Sequence, residues 1–174
     1  MNTERKFPIG PVPEWDESFD KTAAILRITS FPTELEQLLR GIVPEDYSLT
    51  YRTDSWTIQQ VVHHLADSHI NAYLRLKWGL TENHPDIKEY NEVAWAELPD
   101  GKSSPLEVSV SILKGIHYRM GLTLSELEKK DWNRSYFHTD RKKSFTINQW
   151  LVEYDWHGRH HLGHIRWALE NRSK

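Results

Sequence analysis

Residues 154–165 read Tyr-Asp-Trp-His-Gly-Arg-His-His-Leu-Gly-His-Ile and place four of the chain's ten histidines in a segment patterned as a buried helix. Ile147, Trp150, Leu151, Tyr154, Gly158, Leu162, Ile165 and Leu169 recur at roughly 100° per residue and define one apolar face. His161 falls on that face and His157 at its edge, one turn apart and pointing the same way. His160 and His164 form a second pair turned toward the polar side. An imidazole taken out of water without a partner is costly, so the fold has to give the inward pair something to bond. Two answers are open. The rings can be hydrogen-bonded core residues, or they can grip one metal ion at about 2.0–2.1 Å from each nitrogen. This helix does not choose between them; a third ligand is needed. Gly158, near the middle of the face, lets another helix approach closely.

The start of that helix is written locally. Thr146 and Gln149 make a capping box, with Phe145 and Trp150 placed as its hydrophobic staple. The same device recurs at Thr57 and Gln60, flanked by Trp56 and Val61, and launches a helix over 57–80. It carries His63, His64 and His69. Periodicity puts His69 on the apolar face, His64 beyond one edge and His63 on the opposite flank.

A first helix is expected from Trp15 to Arg40, kinked by Pro32 and stopped by Gly41 and Pro44. A third long helix is expected from Ser104 as N-cap, through Pro105 and Glu107, to about Lys129, with His117 and Arg119 in its middle. Residues 81–104 read as a long connection with a short turn around Glu92–Leu98, pinned by Tyr90 and Trp95. Two β-prone pieces, Ser135–His138 and Ser144–Thr146, predict a small hairpin or an irregular excursion before the last helix. His63, His84 and His138 are expected to be exposed. Residues 1–14, with Pro8, Pro11 and Pro13, are expected to be either an extended arm that packs by Phe7 and Ile9 or a loose tail. Four amphipathic helices without a strong sheet signal mean an all-α four-helix bundle, one domain spanning 1–174, with connections long enough for crossover.

Composition narrows the chemistry. There are no cysteines, so any metal must take nitrogen and oxygen ligands. A cytosolic setting fits that absence. A net charge of −3 with interspersed signs argues against a nucleic-acid surface. No apolar run is long enough to span a bilayer, and the proline-rich start is not a secretory signal.

Two motifs, Trp56-Thr57-Ile58-Gln59-Gln60-Val61-Val62-His63-His64-Leu65-Ala66-Asp67-Ser68-His69 and Trp156-His157-Gly158-Arg159-His160-His161-Leu162-Gly163-His164-Ile165, resemble the DinB/YfiT-like superfamily. Phe7-Pro8-Ile9-Gly10, Trp95-Ala96-Glu97-Leu98 and Ile116-His117-Tyr118-Arg119 resemble the opening and middle of its YfiT branch. The resemblance implies a four-helix bundle with a three-histidine site for one divalent metal ion per chain, zinc or nickel in different members. Its first ligand lies eight positions after the tryptophan that opens the second helix, which is His64; the others are His157 and His161. On the last helix this agrees with periodicity. On the second it overrides the pattern, which prefers His69.

The resemblance also implies an enzyme acting on a small molecule, and a homodimer. Members are called metal-dependent hydrolases, and relatives are S-transferases that use bacillithiol or another low-molecular-weight thiol. In a cysteine-free protein a thiol nucleophile must come from a cosubstrate, and thiol transfer is the preferred reading, the metal activating a thiol or water. Asp67 and Asp155 are candidates to orient a ligand imidazole, against the plainer reading of solvated carboxylates. Arg119 and Arg159 can hold an anionic cosubstrate, or be ordinary surface arginines. His69 and His117 are candidate pocket residues. No glutamate sits beside the last-helix pair as in His-Glu-x-x-His proteases, which disfavours peptide hydrolysis. Two other classes fit the same residues: a non-catalytic metal-binding bundle serving as a stress-related sensor or storage module, and a ligand-binding bundle whose histidines only hydrogen-bond.

Overall fold

Asp20 Oδ1 accepts from the Ala23 N–H at 2.9 Å and opens the first helix, α1 (Lys21–Leu39), in the computed structural model, which describes residues 6–172. Helix α2 (Ile58–Thr81) starts at the Thr57/Gln60 capping box. A two-residue strand β1 (Asp86–Ile87) and two short helices, α3 (Glu92–Ala96) and α4 (Pro99–Ser103), fill the long connection. Then come α5 (Leu106–Ser125), β2 (Ser135–His138), β3 (Lys143–Thr146) and α6 (Ile147–Glu170), the last launched by the Thr146/Gln149 box. β2 and β3 form the expected antiparallel hairpin, Tyr136 opposite Phe145, and β1 adds to β2 in parallel.

Several local expectations shift. Helix α1 begins at Lys21, not Trp15, because the Asp16 carboxylate takes the Ser18 N–H at 2.7 Å and holds a turn there instead. Helix α5 begins after Pro105 and ends at Ser125, short of Lys129. Ser104 caps the end of α4, and its carbonyl accepts from Gln59 Nε2 at 3.2 Å and His63 Nε2 at 3.0 Å. His63 is therefore not exposed; it is buried, with Nδ1 2.8 Å from Ser109 Oγ. His138 is buried too, because β2 carries it inward beside Phe145. His84 is exposed, as expected.

The four long helices do not pack in simple chain order. Helix α1 lies against α5 and α6, and α2 lies against the same two. Consecutive partners α1 and α2 are thus diagonal, as are α5 and α6. The apolar interior divides in two. One half-core gathers Ile28, Ala72, Leu76, Met120, Leu124, Trp150 and Leu151. The other gathers Phe31, Leu35, Val61, Leu65, Leu113, Leu162 and Ile165. Between them, on α2, α5 and α6, lie His69, His117, His157 and His161.

Gly158 permits the closest approach in this middle layer. A Cβ there would lie 2.8 Å from the Phe31 ring of α1. Pro32, inside α1, has no N–H and so cannot give the Ile28 carbonyl its i+4 hydrogen bond. Gly158→Ala should force the Phe31 ring aside, an overpacking cost of about 1–3 kcal/mol that outweighs the ~1 kcal/mol gain in helix propensity. Thermal denaturation should show a lower Tm than wild type.

Candidate metal centre

His64 projects from α2 and His157 and His161 project from α6, the helix packed beside it. One ring nitrogen from each lies within 4.8 Å of the others. The ring centroids are 5.4 Å apart for His64–His157, 5.0 Å for His64–His161 and 4.6 Å for His157–His161. All three border a cavity of about 460 Å³ whose walls include Tyr51, Trp56, Glu92 and Trp156.

The electrostatics leave these rings uncharged. Burial pushes the His64 pKa down to about 4. It pushes His157 and His161 well below the usual histidine value, with the neighbouring histidines adding to the effect. Neutral imidazole is the ligating form. Three nitrogen donors, with no thiolate and no carboxylate among them, suit a divalent transition-metal ion.

Behind this trio the structure places further histidines. His157 Nδ1 lies 3.1 Å from His69 Nε2, and His69 Nδ1 lies 2.6 Å from His117 Nε2. His117 Nδ1 in turn lies 2.5 Å from the Ile28 carbonyl oxygen. His161 Nδ1 lies 3.3 Å from His164 Nδ1. His69 and His117 thus stand behind the trio rather than in the cavity wall.

His160 and His164, expected on the polar side, are buried. The N-terminal arm covers them: Phe7 sits 5.9 Å from the His160 ring, Pro8 lies over Gly163, and the Lys6 carbonyl is 3.3 Å from His164 Nε2. Tyr51 stacks on His164 at 3.7 Å. The Trp156 indole N–H donates to Gly10 O at 3.0 Å and ties the arm to α6.

The remaining sequence candidates lie elsewhere. Asp155 is buried in a double ion pair, accepting from Arg27 Nε at 2.6 Å and Arg159 Nη2 at 2.9 Å, so it is neither solvated nor bonded to a ligand imidazole. Arg159 is committed to that pair. Arg119 lies over the Tyr73 ring at 5.1 Å, away from the cavity. Asp67 is half-buried, its pKa pushed up to about 6 by burial and then by Asp100. No hydrogen bond joins it to a site histidine among the described residues. The cations that border the cavity are Lys6 and Arg52, and Glu92 is its carboxyl besides Asp54. Their positions depend on the arm and on long loops, and no sequence periodicity reports them.

The bundle and its histidine trio place the chain among helical-bundle proteins with a candidate metal site, and its similarity to known proteins agrees. The profile of the DinB superfamily matches residues 27–165, and the chain belongs to that superfamily. YfiT of Bacillus subtilis, named "Putative metal-dependent hydrolase YfiT", is 38% identical over 149 residues, 86% of this chain and 83% of its own. A protein of Oceanobacillus iheyensis with the same type of name is 39% identical over 167 residues, covering 92% and 93%. The solved structure of YfiT from B. subtilis superposes with a TM-score of 0.89 at 36% identity over 94% of each chain. It is described as a probable metal-dependent hydrolase with an unusual four-helix bundle topology.

The depressed histidine pKa values set a pH window for the metal-free protein. His64 and His117 titrate near 4 when folded and at about 6.5 when unfolded. Below about pH 6.5 the unfolded chain binds more protons, so stability decreases as the pH is lowered. The contribution should be complete above about pH 6.5 and lost progressively toward 4. The urea midpoint of metal-free protein should be lower at pH 5 than at pH 7.5, with an unchanged m-value.

Proposed function

We propose that the chain is a divalent-metal-dependent enzyme that transfers a low-molecular-weight thiol to an electrophilic small molecule, with hydrolysis, the activity its relatives' names give, as the same displacement with water for nucleophile. The observation that carries this reading is the trio His64, His157 and His161, three uncharged nitrogen donors beside an accessible cavity. His64, His157 and His161 would hold the divalent ion, which would supply Lewis acidity to a thiol or water nucleophile.

The chain's own residues have assignable parts. Tyr51, Trp56 and Trp156 offer apolar walls to the body of the substrate. Lys6 and Arg52 offer positive charge to an anionic cosubstrate, the part that Arg119 and Arg159 are placed too far away to play. Burial and neighbouring Glu89 raise the Glu92 pKa, which suits it to accept a proton from the incoming nucleophile. In thiol transfer the S–H proton passes to the Glu92 carboxylate as sulfur bonds to the electrophilic carbon. The leaving group departs with the bonding electron pair and takes the proton back from Glu92, which returns to the carboxylate. Water in place of the thiol gives hydrolysis with the same balance.

A homodimer belongs to the same reading. Val108, Ile112, Tyr118 and Leu122 stand exposed on α5 and offer an apolar face for a second copy. No helix among the described residues is long and apolar enough to cross a membrane, which suits the expected cytoplasmic setting.

Protein purified without a polyhistidine tag should carry close to one divalent ion per chain by elemental analysis. It should consume a model electrophile only when a low-molecular-weight thiol is supplied. His64→Ala should abolish both metal retention and turnover. Full metal content with no turnover of thiol acceptors or hydrolysable esters would instead make the chain a sensor or storage bundle.

A further inference from the structure

We infer that His117 is a positioning residue that fixes the tautomer of the ligand His157 through His69, and that Pro32 supplies the fixed end of this relay. The inference rests on the metal reading above and adds to it the part of the chain that aims the ligand.

The direction of the relay follows from its last member. A carbonyl oxygen only accepts, so at 2.5 Å the His117 Nδ1 must carry the hydrogen it gives to Ile28 O. A neutral imidazole has one N–H, so His117 Nε2 is an acceptor. The 2.6 Å contact then requires His69 to donate from Nδ1. His69 Nε2 becomes an acceptor in turn, and the 3.1 Å contact requires His157 to donate from Nδ1. The nitrogen left on His157 is Nε2, with its lone pair available to an ion. A metal-ligating histidine usually gives its other N–H to a second group, which sets ring orientation and raises basicity. Here that group is a histidine, backed by another.

The relay needs an acceptor that nothing else has saturated. Inside a helix a carbonyl normally takes the N–H four residues on. For Ile28 that residue is Pro32, which has no N–H. His117 supplies the missing donor. The Phe31 ring packs 5.1 Å from His117 and 5.3 Å from His69, and Gly158 leaves the room for it. Rotation of either imidazole is therefore blocked by packing as well as by hydrogen bonds.

Two measurements test this. In metal-free wild-type protein, long-range ¹H–¹⁵N spectra of the imidazoles should show His69, His117 and His157 all as Nδ1–H tautomers, against the Nε2–H form that free histidine favours. An Nε2–H tautomer at His117 or His69 overturns the relay whether or not the protein binds metal. In the second, zinc affinity is read by competition with a chelator. His117→Leu should weaken zinc binding by about 10–100-fold while circular dichroism shows a folded bundle. His138→Leu, which removes an equally buried histidine outside the relay, should leave zinc affinity within a factor of two. Equal losses in the two variants, or no loss in His117→Leu, would overturn the assignment. Wild-type protein that binds no zinc would sink the metal reading, while the tautomers would still decide the relay.

Discussion

Uncharged imidazoles can occupy the middle of a helical bundle only if their ring nitrogens find partners, because an unpaired polar group there costs about as much as a lost buried hydrogen bond. This requirement organises the interior. The apolar residues separate into two half-cores, and His69, His117, His157 and His161 fill the layer between. His157, His69, His117 and Ile28 come from α6, α2, α5 and α1, so one chain of hydrogen bonds passes through all four long helices. Each step joins helices that pack side by side. In a bundle wound in simple chain order α1 and α5 would be diagonal, and the last step would have no short route. The crossed topology and the polar layer are therefore two aspects of one arrangement.

On the outer side of α6 the N-terminal arm meets this requirement for His164, through the Lys6 carbonyl, whereas it covers His160 with the Phe7 ring and leaves its Nδ1 without a hydrogen bond among the described residues. His160 and His164 fall toward the polar side of that helix by its own periodicity, and a bare helix would leave them to water. Residues 6–10 lie across them instead, with Pro8 seated where Gly163 has no side chain. Tyr51 closes over His164 from another direction. The arm thereby becomes part of the cavity wall, and Lys6 and Phe7 border the space in front of the histidine trio. A segment that the prolines exclude from helix is used as a cover.

What the sequence reveals follows the range of the interactions involved. The capping boxes at Thr57/Gln60 and Thr146/Gln149 act within four residues, and both helix starts agree with them. The hairpin strands around Tyr136 and Phe145 are equally local. The start of α1 lies later than the apolar pattern predicts because a hydrogen bond from Ser18 to Asp16 competes with the helix, and such a pattern does not register that turn. Burial of His63 and Asp155 escapes the pattern for a different reason. Their partners, including Ser104 and Ser109 for His63 and Arg27 for Asp155, are distant in the chain. A polar side chain looks solvent-facing until the group that satisfies it is known.

The tension on α2 between periodicity and family resemblance has a physical resolution. Periodicity selects the histidine most central to the helix's apolar face, and His69 is almost wholly buried, bonded to two other imidazoles. Resemblance selects His64, which borders the cavity and faces the pair on α6. The two criteria sort the histidines by what each can reach. A ligand has to lie at the seam between helices, where a substrate can arrive. A residue that orients a ligand does better in the core, where nothing but protein can touch it. In the proposed metal reading, the position that the apolar pattern prefers is therefore the wrong place for a ligand and the right place for its support.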